Sequence, residues 1–381
     1  MFNVLTKMIL VGKPQFMSQI TKKVVLVINC LQGGGAERSV LTLGQGFYEL
    51  GYEVHILRFK PLVEYDLNPN LNYHMIRFKP YKLILNSELR YQLFAAKVDK
   101  YILGEIGKPN IILSNLYASD RIMTHSKLPN LMYVIRNTVS NKFELTNNTN
   151  TNKKVKELRR IYESRPCICV SRGVEADLQA NLGSCITSNT IYNAFDKELI
   201  QQLANESIES QYDKITPRQY ILHVGSFKTE KAHDVLLKAY AKSTMAYPLV
   251  LLGKGKMLEQ TKKLAQDLGI SQKVLFLGFN KNPYPYMKHA RGFVLSSRSE
   301  GFVRVIPEAL ALNVPVVSTN CKSGPSEMLP TNSLVPVDDV DALAKKMTLL
   351  MAKPESFLFD FDEQFLPKNI AQKYIDYLTS S

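Results

Sequence analysis

The strongest constraint on this chain is an alternation that runs twice. Short β-branched or apolar runs alternate with amphipathic stretches at helical spacing. In the first half KVVLVINCL (23–31), EVHILRF (53–59), NIILSNL (110–116), LMYVIRN (131–137) and CICVS (167–171) read as buried strands. The series restarts with YILHVGSF (220–227), PLVLLGKGK (248–256), KVLFLGF (273–279), GFVLSS (292–297) and VPVVST (314–319). Helical patterns lie between them at DVLLKAYAKS (234–243), LEQTKKLAQDLG (258–269) and from Pro307 to Leu312. Strand–helix alternation predicts parallel sheets covered by helices on both faces. A break near Asp196, with a polar segment up to Arg218, divides the two series. At roughly 150 residues per domain, 381 residues fit two such units. Two doubly wound domains face one another across a cleft at the carboxyl ends of their strands, where open α/β sheets bind ligands.

Composition narrows the class. No apolar run approaches the roughly 18 residues needed to span a bilayer, and the first seventeen residues show no small-residue cleavage site. Met8 and Met17 are alternative starts. Five Cys at irregular spacing, without a CxxC pair, read as reduced thiols of a cytosolic protein, with Cys167 and Cys169 in a buried strand. The six His are scattered, so no metal pair is expected. Net charge is +14 and unevenly placed: residues 1–195 hold 25 Lys/Arg against 14 Asp/Glu. Such an excess suits a polyanionic partner. No nucleic-acid-binding signature accompanies it. The densest cluster is NKKVKELRRIYESR (152–165), an amphipathic helix with Lys153, Lys154, Lys156, Arg159 and Arg160 around an apolar face. It packs as an ordinary surface helix or rests on an anionic membrane. The polar TNNTNTN (146–152) reads as a loop.

The chemistry concentrates in SEGFVRVIPEALAL (299–312). Glu300 follows a strand, and Pro307 is tolerated in the first turn of the next helix. The carboxylate of Glu300 and the backbone N–H groups of Gly301, Phe302 and Val303 gather at a strand end and a helix start. That combination can take a sugar's hydroxyls and an anionic diphosphate. Glu308 sits in the first turn of that helix, facing the same crevice. An acid pair that only complements the helix dipole is the plainer alternative.

This element resembles the E-x7-E signature of the family-4 retaining glycosyltransferases of the GT-B fold. GGGAER (33–38), SRGVEADL (171–178), IYNAFD (191–196), HVGSFKTEKAHDVLL (223–237) and PVVSTNCKSGPSEML extend the resemblance from about residue 23 to 340. NPYPYMKHA and SGPSEML are similar to the bacterial branch that builds lipopolysaccharide, capsule and lipid-linked oligosaccharides. The resemblance implies an α/β GT-B fold with an acceptor domain over residues 1–195 and a donor domain over 196–365. The last helix, about 366–381, would pack back on the first domain. It also implies that Glu300 holds the donor sugar, Glu308 the ribose and Lys231 the diphosphate. Where the family often has Arg, this chain has Ser226, and Lys228 is the candidate substitute. Gly34 and Gly35 would bring backbone amides to the phosphates. Gly253 and Gly255 form either a phosphate contact or a plain turn. Many relatives carry His where Arg136 stands. An Arg cannot act as a base, but it can orient an acceptor or neutralise the leaving diphosphate.

The expected function is a hexosyl or N-acetylhexosaminyl transfer, with retention, from a nucleotide-diphosphate sugar (UDP above all) to a membrane-associated glycan. The nucleotide-sugar is a substrate; no cofactor or metal is expected. Asp338, Asp339 and Asp341 mimic a metal-binding DxD but precede the helix DALAKKM, where capping explains them. The protein is expected in the cytoplasm, peripheral on the inner membrane face, without nucleic-acid partners. The rival is a GT-B subunit with a decayed site that supports another transferase, to which Ser226 and Arg136 lend weight.

Overall fold

The structure is a computed structural model that describes residues 22–145, 149–208 and 215–380. The first seventeen residues, with their alternative starts, and residues 146–148 of the polar stretch lie outside it. Seven parallel strands form the first sheet: β1 (Lys23–Ile28), β2 (Glu53–Arg58), β3 (Asn72–Met75), β4 (Ile111–Asn115), β5 (Leu131–Ile135), β6 (Cys167–Cys169) and β7 (Ser188–Thr190). Their order is β3-β2-β1-β4-β5-β6-β7. Six more form the second: β8 (Ile221–Val224), β9 (Leu249–Leu252), β10 (Val274–Gly278), β11 (Gly292–Leu295), β12 (Val316–Thr319) and β13 (Leu334–Val335), ordered β10-β9-β8-β11-β12-β13.

Both orders reverse beside the first strand of their unit. β1 lies between β2 and β4, and β8 lies between β9 and β11. At such switch points the loops leave the sheet in opposite directions and open a crevice. The loops that follow β1, β4, β8 and β11 therefore border the two crevices. They carry GGGAER, Leu116, Lys231 and Glu300 respectively. Central strands covered on both faces explain the unbroken apolar runs. Val24 to Ile28 are fully buried, as are Leu249 to Leu251.

The edge strands β3 (NYHM) and β7 (SNT) escaped the sequence reading because each pairs on one side only and shows no apolar run. The basic stretch is helical, but the helix Thr149–Tyr162 begins inside the polar run expected to be a loop. Once a helix is nucleated, each added residue gains a backbone hydrogen bond, so Thr and Asn are carried into it.

The chain returns to the first sheet at its end. The helix Pro367–Ser380 packs along the helix Gly35–Glu49. A Cβ on Gly46 would lie 2.1 Å from the Pro367 carbonyl oxygen, so glycine is what allows the two backbones this close. The Phe47 and Tyr374 rings meet at a tilt, 6.1 Å apart, across the same contact. Among the described residues, no helix is long and apolar enough to cross a membrane.

Two histidines are buried in the second sheet's core. His223 on β8 donates Nδ1–H to the Val294 carbonyl at 2.9 Å, and its ring meets His233 at 4.8 Å. Burial holds His223 well below the ordinary imidazole range and brings His233 down to about 4, with the Lys231 charge acting in the same direction. Both are neutral in the folded protein at pH 7, whereas the unfolded chain protonates them near pH 6.5. Below that pH the unfolded state binds more protons, so stability falls as pH drops toward 4. Urea unfolding should show this slope, and His233→Phe should flatten it by about 1.4 kcal/mol per pH unit.

Candidate active site

The two carboxyl edges touch where the E-x7-E element begins. A Cβ on Gly301 would lie 2.3 Å from the carbonyl oxygen of Arg136 at the end of β5. Ser171 Oγ donates to the Gly301 carbonyl at 2.9 Å, and Asn141 hydrogen-bonds Ser299. Glu327 accepts the backbone N–H of Arg172 at 2.9 Å. The Phe302 side chain joins a cluster with Tyr192, Phe195 and Phe365, so it packs the domain junction. Val303 is buried against Gly324. Of residues 301–303, then, the backbone rather than the side chains is what a ligand can meet.

Glu300 and Lys231 form an ion pair across the switch point of the second sheet. Lys231 ends a short turn, Thr229–Lys231, and the following Ala232 has φ 49°, a left-handed kink that starts the helix His233–Lys242. Ser297 Oγ also donates to Glu300, at 2.6 Å. Cys321 nearby is pushed up to about 12 by burial and then by the Glu300 charge, so it stays a thiol. An ammonium beside a half-buried carboxylate can meet one phosphate oxygen while the carboxylate meets sugar hydroxyls.

Glu308, on the helix Val305–Ala311, is buried and already partnered. Tyr284 donates to it at 3.3 Å, and Arg304 reaches it at 3.3 Å. Arg304 also donates to Ser39 Oγ at 2.6 Å and lies 4.5 Å over the Phe195 ring. Arg38 donates to the Tyr284 hydroxyl at 2.5 Å. Ser39 and Arg38 belong to the first domain, so this network ties Glu308 across the cleft. Burial opposes the Arg38 charge, but Tyr284 and Glu308 outweigh it and raise its pKa.

Arg136 is buried and held by neutral partners. Its Nε and Nη2 donate to Asn115 Oδ1 at 3.2 and 2.7 Å, and its Nη1 to Asn193 Oδ1 at 2.5 Å. Burial lowers its pKa to about 10, which still leaves it charged at neutral pH. Close by, Asp120 accepts from Ser114 Oγ at 2.6 Å and from the Tyr162 hydroxyl at 3.1 Å. Burial pushes its carboxyl well above the usual range. Asp120, Arg136 and Lys142 border a cavity of about 230 Å³ in the first domain. A larger interdomain cavity of about 1220 Å³ is lined by hydroxyl and amide side chains such as Ser140, Asn141, Ser299 and Asn320, by the charged Asp177, Arg298 and Lys322, and by an apolar stretch at Leu334 and Val335.

Comparisons with known proteins agree with this geometry. The family model described as Glycosyltransferase Family 4 matches residues 33–199, and Glycosyl transferases group 1 matches 204–363. An N-acetylgalactosamine-N,N'-diacetylbacillosaminyl-diphospho-undecaprenol 4-alpha-N-acetylgalactosaminyltransferase of Campylobacter jejuni is 30% identical over 348 residues, 87% of this chain and 90% of its own. The chain belongs to the family-4 glycosyltransferases. A lipopolysaccharide 1,6-galactosyltransferase of Salmonella typhimurium is 26% identical over 42% of this chain and 45% of its own. The structure of Anabaena Alr3699/HepE in complex with UDP superposes with a TM-score of 0.68 at 18% identity, over 95% of this chain and 100% of that one, which shows the shared GT-B fold.

In this glycosyltransferase, Ser226 is half-buried, and Lys228 is exposed without a side-chain partner among the described residues. Gly34 caps the helix Gly35–Glu49, and its carbonyl accepts from Tyr65 at 2.6 Å. Gly35 meets Arg304, whose Cδ would be 3.1 Å from a Cβ there. Gly253 and Gly255 are explained by packing: a Cβ on Gly253 would lie 2.0 Å from the Gly225 carbonyl oxygen, and one on Gly255 2.3 Å from that of Phe227. Asp339 caps the helix Val340–Ala352 at Ala342 N, 2.9 Å, while Asp338 and Asp341 pair with Arg298 and Lys242. Among the described residues, no three His, Cys, Asp or Glu side chains converge as a metal site.

The basic helix divides by environment. Lys154 is bound at 2.8 Å to both Glu157 and the Tyr117 hydroxyl, and Arg160 pairs with Glu88 at 2.8 Å. Lys153, Lys156 and Arg159 are exposed. Sequence reading missed Arg38, Tyr65, Tyr284 and Asp120, because only the fold brings them to the cleft. Gly301→Ala should hold the two domain edges apart while each sheet stays folded. A misplacement of about 1 Å can cost about a hundredfold in rate. Turnover should fall by that order with circular dichroism unchanged, and small-angle scattering should show a wider molecule.

Proposed function

We propose that the protein transfers a hexose or N-acetylhexosamine, with retention, from a UDP-sugar to a membrane-associated glycan of the lipopolysaccharide, capsule or lipid-linked oligosaccharide kind. The observation that carries this reading is the Lys231–Glu300 pair, set at a switch point and facing the carboxyl edge of the other sheet. The Campylobacter and Salmonella relatives, whose names state lipid-linked and lipopolysaccharide acceptors, support the acceptor class.

Glu300 accepts hydrogen bonds from the donor sugar, Glu308 from the ribose, and Lys231 faces the diphosphate. The N–H groups of Gly301, Phe302 and Val303 supply further donors to the phosphates, with Gly34, Gly35, Ser226 and Lys228 around them. The bond from the anomeric carbon to the phosphate oxygen breaks while the acceptor hydroxyl bonds to that carbon on the same face. The leaving phosphate oxygen takes the hydroxyl proton, so no side-chain base is required. Charge grows on the diphosphate as the bond breaks, and the fixed ammonium of Lys231 meets it. Arg136 stays protonated and acts on charge or orientation, since it cannot accept a proton. The interdomain cavity, with hydroxyl and amide groups beside Asp177, Arg298 and Lys322, has room and hydrogen-bonding partners for a glycan. The protein works at the cytoplasmic face of the inner membrane, and its phosphate contacts need no metal.

Lys231→Ala should lower turnover more than donor affinity, because the contact strengthens in the transition state. A loss of about a hundredfold or more is expected in single-turnover measurements. A normal single-turnover rate with only a raised Michaelis constant assigns Lys231 to ground-state binding instead. Calorimetry should show UDP binding unchanged by EDTA. Glu308→Gln, which keeps the shape of the buried network, should weaken UDP binding by about 1.5–3 kcal/mol through loss of a charge-assisted pair. A protein that binds UDP but neither hydrolyses nor transfers from any UDP- or GDP-sugar would be the supporting subunit, not the enzyme.

A further inference from the structure

An unexplained surface lies on the first domain, in the turn between β3 and the helix Ser87–Tyr101. Leu83 and Leu85 are 87% and 97% exposed, the two most exposed large hydrophobic side chains among the described residues. Leu89 and Leu93 follow on the outward face of the helix Ser87–Tyr101, one turn apart and about half exposed. An ordinary surface helix turns polar residues outward. This one presents leucines.

The segment is held firmly. Phe78 and Tyr81 pack against Phe94 at 4.9 and 5.0 Å, anchoring the turn Lys79–Leu83 from one side. On the other, Asn86 caps the helix, accepting from the N–H groups of Glu88 and Leu89 at 3.0 and 3.1 Å. Leu83 and Leu85 therefore stand out on a braced turn and pack against nothing that explains them.

The charge around the leucines has one sign. Residues 77–103 contain Arg77, Lys79, Lys82, Arg90, Lys97 and Lys100 against only Glu88 and Asp99. Both acids are taken. Glu88 pairs with Arg160 at 2.8 Å, and Asp99 is buried, accepting from Ser126 Oγ at 2.6 Å and Lys127 N at 2.8 Å. The Arg160–Glu88 bridge also joins this surface to the basic helix Thr149–Tyr162, where Lys153, Lys156 and Arg159 are exposed. Glu157 of that helix is neutralised by Lys154 and lies 3.3 Å from Arg121.

We propose that this leucine prong and its basic surround form an anionic-lipid docking surface. Leu83 and Leu85 enter the acyl boundary, with Leu89 and Leu93 behind them, while Lys79, Lys82 and Lys97 meet the headgroups. Apolar burial and charge attraction act together at such interfaces, and neither alone anchors a protein firmly. The membrane-associated acceptor of the proposed function is the reading on which this inference rests. It moves the main contact from the basic helix, whose Lys154 and Arg160 are engaged within the protein, to the turn before the helix Ser87–Tyr101.

The chain contains no Trp, so a single introduced one reports its own surroundings. On vesicles of equal parts phosphatidylglycerol and phosphatidylcholine, Leu85→Trp should shift its emission to the blue and be quenched by acyl-chain-brominated lipid. Leu358→Trp, at an exposed leucine of the other domain, should not. Leu83→Ser with Leu85→Ser should lower vesicle partitioning by about a hundredfold, taking about tenfold for each buried leucine. Lys79→Glu with Lys82→Glu should lower it by about fivefold or more per lysine, and neither pair should change UDP affinity.

The proposal is overturned if Leu85→Trp stays unquenched, or if the serine variant binds vesicles like the parent. It is equally overturned if the serine variant only converts a dimer into a monomer, since the leucines would then join two copies. These measurements need neither donor nor acceptor. Vesicle binding through Leu85 in a protein without transfer activity supports the surface and counts against the functional reading alone.

Discussion

One close approach organises the cleft: the Gly301 backbone against the Arg136 carbonyl. The peptide that begins the E-x7-E element rests directly on the end of a strand of the other domain. No side chain fits between them. Glu300 is thereby set at the mouth of the cleft, and Phe302 is turned into the aromatic junction with Tyr192, Phe195 and Phe365. The return of the helix Pro367–Ser380 to the helix Gly35–Glu49 adds a second tie, again through a glycine that lets backbones touch.

Charge is handled economically in this frame. Without a ligand, both carboxylates of the E-x7-E element are partnered: Glu300 by Lys231 and Ser297, Glu308 by Tyr284 and Arg304. A half-buried carboxylate left alone would be costly. Under the proposed roles, a donor replaces existing partners rather than filling bare sites, so its net gain is the difference between two sets of contacts. Arg136 is the exception. Its hydrogen-bond partners are amide oxygens, and among the described residues it forms no ion pair. A buried cation with neutral neighbours is a natural complement to an anion in the cleft.

Some of this was legible early. The strand–helix alternation predicts two parallel sheets, because a buried parallel strand needs an unbroken apolar run and its crossover needs a helix. Glu300 and Glu308 stand out because strand ends and helix starts place polar groups at a sheet's carboxyl edge, whereas Lys231 stands out only through the family resemblance. The edge strands β3 (NYHM) and β7 (SNT) do not stand out, since their short polar sequences carry no such run. Gly253 illustrates a different failure. In the sequence a glycine at a strand end reads equally as a phosphate contact or a turn, and only the Gly225 carbonyl lying against it explains the choice.

The sequence by itself determined the architecture and family, through patterns that are local: periodicity, β-branched runs, and an acidic pair at fixed spacing. It also determined that the first half is basic. Tertiary structure alone decided which charges remain available, because pairing depends on neighbours far apart in the chain. Lys154 is consumed by Glu157 and Tyr117, and Arg160 by Glu88, whereas Lys79 and Lys82 are left beside exposed leucines. Tertiary structure likewise decided that Arg38 and Tyr284, 246 positions apart, meet at Glu308. Contacts of that separation form only when two independently patterned sheets are pressed edge to edge, and no local pattern in either one encodes them.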